Sequence, residues 1–376
     1  MKHSGLMALV VALACTCCSD DPIAPAPTCS LPTEDPVVVA MDAGNDVTLA
    51  VMSDGSLWCW GSDLELLCPI PFVGYPVPVV EGECLTTIAS ASTATTSVLA
   101  SGTARLWWLG HGDIDLPDPS ETSDALGTIV ATEVYAGSAA LLNDQGVAFL
   151  VGHAGDFPGG RDFDGFEVAE LPVEVDRLAP GHMPCLLGVD GVAYCLEVDE
   201  NGVPHSAHEQ DTDVSSFKPL SVPEPVQSFS VASSSSAQAC ALVDSGAVYC
   251  VGEFITPLLP SGEPTTAFEV VEGLPSLDVL KLSESGHTAC GRADGQLWCW
   301  GKNDYEAYQP EDSGLVPPVQ TGDFGNVMDF VVGEYHLCAL LDNHEVWCRG
   351  SQGAKGLCSL ETDWEKLTFE YCNAFD

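Results

Sequence analysis

Basic residues are scarce in this chain of 376 residues. Lysine and arginine together number 11, against 55 aspartates and glutamates, and the net charge at pH 7 is −44. A surface with this balance repels nucleic-acid phosphates and anionic lipid headgroups, which argues against binding to DNA or chromatin. The acidity fits two other interpretations, an attraction for cationic partners or ions, and solubility in a high-salt habitat.

Helical periodicity and catalytic motifs are also missing. No segment of useful length repeats its apolar residues at a helical period. The sequence has no nucleophile elbow, no phosphate-cradling glycine loop and no metalloprotease helix, so we predict a protein without catalytic activity. Its 55 carboxylates create close pairs by chance, and a glycosidase-like pair cannot be selected among them.

The apolar run near the N-terminus is short. Residues 6–14 number nine, too few to span a bilayer, and they lie between a short charged region and Cys15. This arrangement is typical of a secretory signal, and residues 12–15, Ala-Leu-Ala-Cys, resemble a bacterial lipobox. We expect a signal peptide over residues 1–14 and a flexible tether over residues 15–36. Cys15 begins the mature chain either as an acylated lipoprotein cysteine or as a simply cleaved terminus.

A unit that recurs seven times fills the rest of the chain. Each copy has a short apolar strand, a turn and an aromatic–Cys–Gly strand, although Glu197 replaces the closing glycine of the fourth copy. Direct neighbours among the closing glycines lie 42 to 49 residues apart. Several short strands per repeat at this period predict an all-β fold, a seven-bladed β-propeller over residues 37–376. The closing glycines are Gly61, Gly110, Gly152, Gly252, Gly301 and Gly350.

Apolar segments before the hairpins predict the inner strand of each blade. They include residues 38–44, 133–137, 279–282 and 329–333. We expect residues 37–41 to contribute to closure of the ring. The alternating residues Leu367, Phe369 and Tyr371 are expected to complete the last blade.

The turns predict the register of the hairpins. Asp54-Gly55 and Asp294-Gly295 are typical of two-residue turns, whereas residues 144–146 and 244–246 predict three-residue loops with glycine in the left-handed position. Folding the strands about these turns places cysteines opposite one another in four hairpins. The four predicted disulfide pairs are Cys185–Cys195, Cys240–Cys250, Cys290–Cys299 and Cys338–Cys348.

Further cysteines predict bridges in the outer loops. We expect Cys68 to pair with Cys84 in blade one, and Cys358 with Cys372 in blade seven. This cysteine usage fits an oxidising compartment outside the cytoplasm. The sequence assigns no partner to Cys17, Cys18, Cys29 and Cys59.

Metal and cofactor sites are weakly indicated. His287 and Cys290 have a spacing that suits a metal ion, but a cross-strand disulfide explains Cys290 better, because the same geometry recurs at Cys185 without a histidine. Residues 162–167 and 42–46 are rich in carboxylates, yet both lack the glutamate that completes a calcium loop. We predict no cofactor and at most weak, adventitious calcium.

The repeat resembles the regulator-of-chromosome-condensation (RCC1-type) propeller family. The matching elements are Ala-Gly before the first turn, His-x-x-Cys at residues 287–290, Asp-Gly in the turn, and Trp-x-Trp-Gly at residues 58–61. The family's Asn-x-x-Gly-Gln-Leu-Gly tail is nearly absent, with a remnant at residues 350–357. The resemblance implies a propeller, and it implies that His287 and His336 satisfy buried turns.

These observations together predict an exported, lipid-anchored, monomeric propeller that is not an enzyme. We expect it to bind another macromolecule, such as a protein, through loops on one face. Its location would be the outer membrane or cell surface, or the medium if it is released. Two alternatives are a propeller-based enzyme, such as a lyase or glycosidase, and a guanine-nucleotide exchange factor. Export and the acidic surface argue against the exchange factor.

Overall fold

The computed structural model contains only β-strands as regular elements in the residues it describes. Those residues are 36–44, 47–61, 73–80, 84–91, 94–99, 102–108, 112–114, 127–135, 138–152, 163–168, 171–181, 184–196, 198–199, 202–204, 217–232, 238–252, 258–259, 265–303, 307–308, 314–351 and 363–368.

The strands follow one another in groups of four. Blades one to three contain β1 (Val38–Ala43), β2 (Val47–Met52), β3 (Leu57–Gly61), β4 (Val73–Val80), β5 (Leu85–Ala91), β6 (Ala94–Leu99), β7 (Ala104–Trp108), β8 (Gly112–Ile114), β9 (Ile129–Tyr135), β10 (Ser138–Asn143), β11 (Ala148–Gly152) and β12 (Phe163–Val168). Blades four and five contain β13 (Val175–Ala179), β14 (Cys185–Gly188), β15 (Ala193–Cys195), β16 (Lys218–Pro219), β17 (Val226–Val231), β18 (Gln238–Val243), β19 (Val248–Gly252) and β20 (Thr265–Val270). Blades six and seven contain β21 (Val279–Leu282), β22 (Thr288–Ala293), β23 (Gln296–Lys302), β24 (Leu315–Thr321), β25 (Val327–Val332), β26 (His336–Leu341), β27 (Val346–Gly350) and β28 (Glu365–Lys366).

The architecture is a seven-bladed β-propeller. Seven four-stranded sheets each take four consecutive strands in chain order, and the pairs within a sheet are antiparallel. The first strand of each blade is the inner strand, which packs against the inner strands of the neighbouring blades, and β25 packs against β1. The predicted all-β propeller with seven blades is confirmed.

Side-chain packing closes the ring between blades seven and one. Val38 of β1 and Leu367, which follows β28, belong to one buried cluster with Val331 and Leu340 of blade seven. Residues 37–41 therefore contribute to closure as expected. The last strand of blade seven ends at Lys366, and the predicted continuation through Phe369 and Tyr371 lies outside the described residues.

The turns inside the blades differ in length. Asp294 and Gly295 form the predicted two-residue turn with φ of 51° and 72°. The prediction of a two-residue turn at Asp54-Gly55 is wrong, because the Met52 amide donates to the Ser56 carbonyl at 2.9 Å and leaves three residues in the loop. The side chain of Asp54 accepts a 2.9 Å hydrogen bond from the Ser56 amide, which favours the longer loop.

Glycines in these turns join each blade to the next one. The left-handed backbone at the turn glycine directs its carbonyl towards the start of the following blade, where it accepts a hydrogen bond from a backbone amide. At the junction of blades seven and one, His344 has the corresponding left-handed conformation, and its Nδ1 lies 3.2 Å from the Val38 carbonyl. The glycine carbonyl–amide pairs are Gly55–Leu85, Gly102–Ile129, Gly146–Val175, Gly191–Val226, Gly246–Leu277 and Gly295–Val327.

Disulfide bonds staple four hairpins, as predicted. In each hairpin the two cysteines lie directly opposite each other in the strand register. Cys290 and Cys299 are fully buried and pack against Phe330 and Leu337 of the next blade, so the bond lies inside the interface between blades. The four bonds are Cys185–Cys195, Cys240–Cys250, Cys290–Cys299 and Cys338–Cys348.

Other sequence predictions concern residues near or beyond the described parts. Cys59 and Cys84 are also disulfide-bonded, so Cys59, to which the sequence assigned no partner, has one. The expected signal peptide and nearly all of the tether fall in residues 1–35, outside the described residues. In the described segments we find no helix long and apolar enough to cross a membrane. The cysteines that lie outside the described residues are Cys15, Cys17, Cys18, Cys29, Cys68, Cys358 and Cys372.

Candidate functional site

Four inner strands carry one charged residue each at the centre of the ring. They are Asp42 on β1, Glu133 on β9, Lys281 on β21 and Asp329 on β25. Asp42 and Glu133 interact electrostatically with each other and with Lys281, although the three belong to blades one, three and six. Side chains from blades that are not neighbours meet only across the axis. These residues therefore form an axial cluster.

Hydrogen bonds fix the axial cluster to the inner strands. The Ser90 amide in blade two donates to Oδ2 of Asp42 at 2.6 Å. Lys281 Nζ donates to Oδ1 of Asp329 in the next blade at 2.7 Å, and it lies 5.5 Å from the centre of the Phe330 ring. Each contact ties one blade to its neighbour.

Burial sets the protonation of the two central carboxyl groups. Burial raises the pKa of Asp42 to about 6, although Lys281 opposes the shift. Burial also raises the pKa of Glu133 to about 8, and the neighbouring Asp42 adds to the effect. Near pH 7 Glu133 is mostly protonated while Asp42 is mostly ionised.

The axial cluster is organised as a structural element. Separated pKa values in a carboxyl pair occur at catalytic sites and also in structural ion networks. Here Asp42 is held by a backbone amide, and Lys281 is held by Asp329 of the next blade. Among the described residues, these two are the carboxyl groups whose pKa is raised.

The two histidines connect blades. His336 in blade seven is fully buried, and its Nε2 lies 2.6 Å from Oγ1 of Thr48 in blade one. His287 in blade six is partly exposed, and its Nδ1 lies 3.4 Å from Oε1 of Glu334 in blade seven. Burial opposes ionisation of Glu334, but its interactions with His287 and Ser285 outweigh this effect, so its pKa is lowered. Glu334 lies in the turn between β25 and β26, whereas Thr48 lies on β2, so both histidines contact the neighbouring blade.

The described residues contain no cluster of side chains that would support the calcium or metal interpretation. No group of three His, Cys, Asp or Glu side chains there is arranged to hold a metal ion. Cys290 is bonded to Cys299, and Asp42 belongs to the axial cluster. Asp162 lies outside the described residues.

One face of the ring carries an exposed aspartate in most of its turns. Loops of a meander alternate between two faces, so the turns between second and third strands share a face with the connections from blade to blade. We call it the turn face; its described turns are at residues 53–55, 144–146, 189–191, 244–246, 294–295 and 342–344. Their exposed aspartates are Asp54, Asp144, Asp190, Asp244, Asp294 and Asp342.

A pocket of about 410 Å³ opens at the turn face of blade seven. Its walls are the rings of Phe324, Trp347 and Trp364, each of which is partly exposed. The Phe324 and Trp364 rings meet edge to face with centres 4.8 Å apart, and the Phe324 and Trp347 centres are 6.3 Å apart. Asp323, Glu345 and Asp363 also line it. We call the pocket lined by these three rings and three carboxylates the aromatic pocket.

Local sequence explains how the three rings come together. Gly322 has a φ of 75°, and a side chain at this position would overlap the Phe324 ring, so only glycine allows the ring to fold back. The Trp347 indole donates to Oε2 of Glu345 at 3.1 Å, and the Trp364 indole donates to Oγ1 of Thr321 at 3.4 Å. Both polar edges are satisfied inside the protein.

Carboxylates at the aromatic pocket differ in their pairing. Lys366 Nζ lies 2.6 Å from Oε1 of Glu345 and lowers the pKa of that carboxyl group. Asp363 Oδ1 lies 3.4 Å from Nη1 of the buried Arg349. Asp323 is exposed and forms no ion pair with the described parts of the chain.

Sequence reasoning assigned the repeat tryptophans to packing and did not identify this pocket. Trp60 and Trp300 are indeed fully buried, whereas Trp347 is only partly covered. A usable signal was present, because each ring of the pocket follows a carboxylate by one or two residues. The pairs are Asp323-Phe324, Glu345-Val-Trp347 and Asp363-Trp364.

Comparison with known proteins supports an RCC1-like repeat. Residues 38–64 match the family model of the regulator of chromosome condensation (RCC1) repeat. This match covers three strands of blade one and a short stretch beyond them. No curated protein matches the chain at a significant level.

Several solved structures share the fold. Yeast RCC1 (Prp20), solved with Kap60, has a TM-score of 0.67 and 12% identity, over 90% of this chain and 85% of that chain. Human WBSCR16 has a TM-score of 0.66 and 14% identity, over 82% of this chain and 88% of that chain. PorZ of Porphyromonas gingivalis, a bacterial surface component of the type-IX secretion system, has a TM-score of 0.53 and 11% identity, over 90% of this chain and 39% of that chain. At these identities the likeness shows the fold alone.

Proposed function

We propose that this chain is an exported, lipid-anchored propeller that binds a basic protein through its turn face. The propeller fold fits a protein-binding role, and the solved yeast RCC1 structure is itself a complex with another protein. The observation that carries the proposal is the ring of exposed aspartates on six turns of that face. A net charge of −44 extends the attraction for a cationic partner beyond direct contact.

The aspartates have a structural role that does not remove their charge. Asp54 and Asp190 accept hydrogen bonds from the amides of Ser56 and Val192, which stabilises their turns. One carboxylate oxygen of Asp190 also accepts from the Tyr194 hydroxyl. Since these side chains are exposed, their charge still faces solvent, and a partner meets them as a group.

Capture of surface proteins from the source cells tests the binding role. Asp190, Asp244, Asp294 and Asp342 would be changed together to asparagine, which keeps the turn chemistry while removing four charges. We expect the native protein to recover a basic partner at low salt, with recovery falling at high salt and in the variant. A control variant, Glu269→Gln, removes an exposed charge from β20 and should bind as the native protein does. Recovery of nothing above background contradicts the proposal.

The four buried disulfides are consistent with an oxidising compartment outside the cytoplasm. The export part of the proposal is tested by intact mass and fractionation in a Gram-negative host. A membrane-bound species that begins at Cys15 and carries acyl chains is the expected result, and Cys15→Ser should abolish the acyl mass. A soluble species with unmodified Cys15 contradicts the lipid anchor.

A further inference from the structure

We propose that the aromatic pocket of blade seven binds the cationic side chain of a lysine or arginine from a protein partner. The inference rests on the proposed protein-binding function and assigns one specific contact to it. Three observations point to a cation: the partly exposed rings that line the pocket, the carboxylates beside them, and Lys366, which already pairs with one of those carboxylates.

The rings provide faces that suit a cation. Phe324, Trp347 and Trp364 pack against the buried cluster between blades six and seven. All three are partly exposed and line the open pocket. The faces of aromatic rings attract ammonium and guanidinium groups, with tryptophan the strongest. Because both indole N–H groups are already hydrogen-bonded to Glu345 and Thr321, the pocket offers ring faces rather than donors.

Of the three carboxylates at the pocket, one has no ion pair with the described residues and is available to a ligand. Glu345 and Asp363 are engaged by Lys366 and Arg349. Asp323 lies at the same pocket with no ion pair to the described residues. An incoming cation between the rings can therefore pair with Asp323 without displacing an existing contact.

Lys366 already places an ammonium group beside the aromatic pocket. Its ammonium lies 2.6 Å from Glu345, whose other carboxylate oxygen accepts from the Trp347 indole at 3.1 Å. A primary ammonium beside this wall of the pocket is thus compatible with the local geometry. The volume of the aromatic pocket, about 410 Å³, lies within the range of small-ligand pockets, about 300–1,000 Å³.

The corresponding tryptophan of blade one has different surroundings. Trp58 occupies the position in blade one that Trp347 occupies in blade seven, and its indole donates to Ser56 at 3.2 Å. It packs against the cluster between blades seven and one, and it lines no pocket with Phe324 or Trp364. Trp58 therefore serves as a matched control.

The test uses the full chain and three short peptides. Acetylated and amidated Gly-Ser-Xaa-Ser-Gly peptides, with lysine, arginine or norleucine at Xaa, would be titrated at low salt by tryptophan fluorescence and calorimetry. We expect the lysine or arginine peptide to bind about tenfold more tightly than the norleucine peptide, which has a similar aliphatic side chain but no charge. Equal binding of all three peptides overturns the inference.

Two variants locate the binding. Trp364→Leu should weaken the cationic peptide about fivefold or more, and Asp323→Asn about threefold with a smaller dependence on salt. Trp58→Leu should leave the affinity within about twofold, as a substitution outside the pocket. Asp323 is exposed, so its variant tests the pocket even where Trp364→Leu lowers stability. Unchanged affinity in Asp323→Asn and Trp364→Leu overturns the assignment.

Failure of this inference is distinguishable from failure of the proposed function. A protein partner that the Trp364→Leu variant still captures, but that the fourfold aspartate variant loses, leaves the turn face in place and overturns the pocket contact. Discrimination between lysine and norleucine peptides without any captured partner supports the pocket and contradicts the proposed function.

Discussion

Single charged residues at the axis make the stability of the ring depend on pH. Burial raises the pKa of Glu133 to about 8 from an ordinary value of 4.5, and Asp42 and Asp329 lie in the same cluster with Lys281. The folded chain therefore keeps a proton that the unfolded chain releases. The stability from this proton is fully present below about pH 4.5 and is lost as the pH rises through about 8.

The Glu133→Gln variant tests this linkage. We expect it to lose less stability than the native chain between pH 5 and pH 8, by roughly 3 kcal/mol, since a neutral amide needs no proton. Thermal or denaturant unfolding across this range would measure the difference. Glu269→Gln, which removes an exposed charge, should follow the native curve. If the unfolding free energy of Glu133→Gln depends on pH as that of the native chain does, Glu133 is not buried in its protonated form.

His336 has the opposite dependence. Burial lowers its pKa to about 4 from 6.5, so stability is lost as the pH falls through this window, because the folded state holds the imidazole neutral. We expect the ring protons of His336 to show no titration above about pH 5 by NMR. A midpoint near 6.5 for His336 contradicts the hydrogen-bonded burial against Thr48.

The charged positions show where prediction from sequence ends. Asp42, Glu133, Lys281 and Asp329 lie within segments that the apolar pattern correctly assigned to inner strands. Their meeting at the axis depends on how four blades are rotated about the ring, which no local pattern encodes. Trp347 illustrates the same limit, because its exposure depends on where Phe324 of the preceding connection turns back.

At the scale of elements, the turn glycines connect neighbouring blades through backbone hydrogen bonds. Gly246 has a φ of 79°, its carbonyl accepts from the Leu277 amide at 2.9 Å, and a side chain there would overlap Ser276. Gly273 has a φ of 90° with open space around it. A comparison of substitutions at Gly246 and Gly273 therefore separates the cost of backbone strain from the cost of steric overlap.

Alanine at these two positions should have unequal effects. We expect Gly273→Ala to cost about 1–2 kcal/mol of unfolding free energy through strain alone. Gly246→Ala should cost more, about 2–4 kcal/mol, since it adds overlap at a junction between blades. Chemical denaturation measures both. Equal losses would show that the contact of the turn with the next blade contributes little.

The hairpin disulfides are the second prediction at this scale. Digestion under non-reducing conditions should recover linked peptides for Cys290–Cys299 and Cys338–Cys348. Removing one bond, as in Cys290→Ala with Cys299→Ala, should cost about 2–3 kcal/mol, because a loop of this length is otherwise freer in the unfolded chain. Free thiols at these positions in the native, unreduced protein would contradict the bonds.

Hairpin register was predictable because it follows from turn and strand symmetry. The cysteine pairs lie symmetrically about their turns, and that symmetry gave four correct bonds. The same reasoning misjudged Asp54-Gly55, because the dipeptide alone does not determine loop length. Asp54 binds the Ser56 amide, and the extra loop residue places Leu49 opposite Cys59.

For the molecule as a whole, the repeat period was sufficient to predict seven blades and their order. Closure of the ring follows from packing of Val38 and Leu367 in one cluster rather than from an exchanged strand. The proposed binding face was not predictable from periodicity. It depends on the topology, which brings aspartates from separate repeats to the same side of the ring as the aromatic pocket.

Hydrogen exchange on the complex with the captured partner tests the central claim most directly. We predict slower exchange in peptides that span the turns at residues 189–191, 244–246, 294–295 and 342–344 and the pocket segment 323–325. The inner-strand ends near Ser90 and Glu133, towards the opposite face, should exchange as in the free protein. Protection confined to the opposite face or to outer strands such as β20 would contradict binding through the turn face.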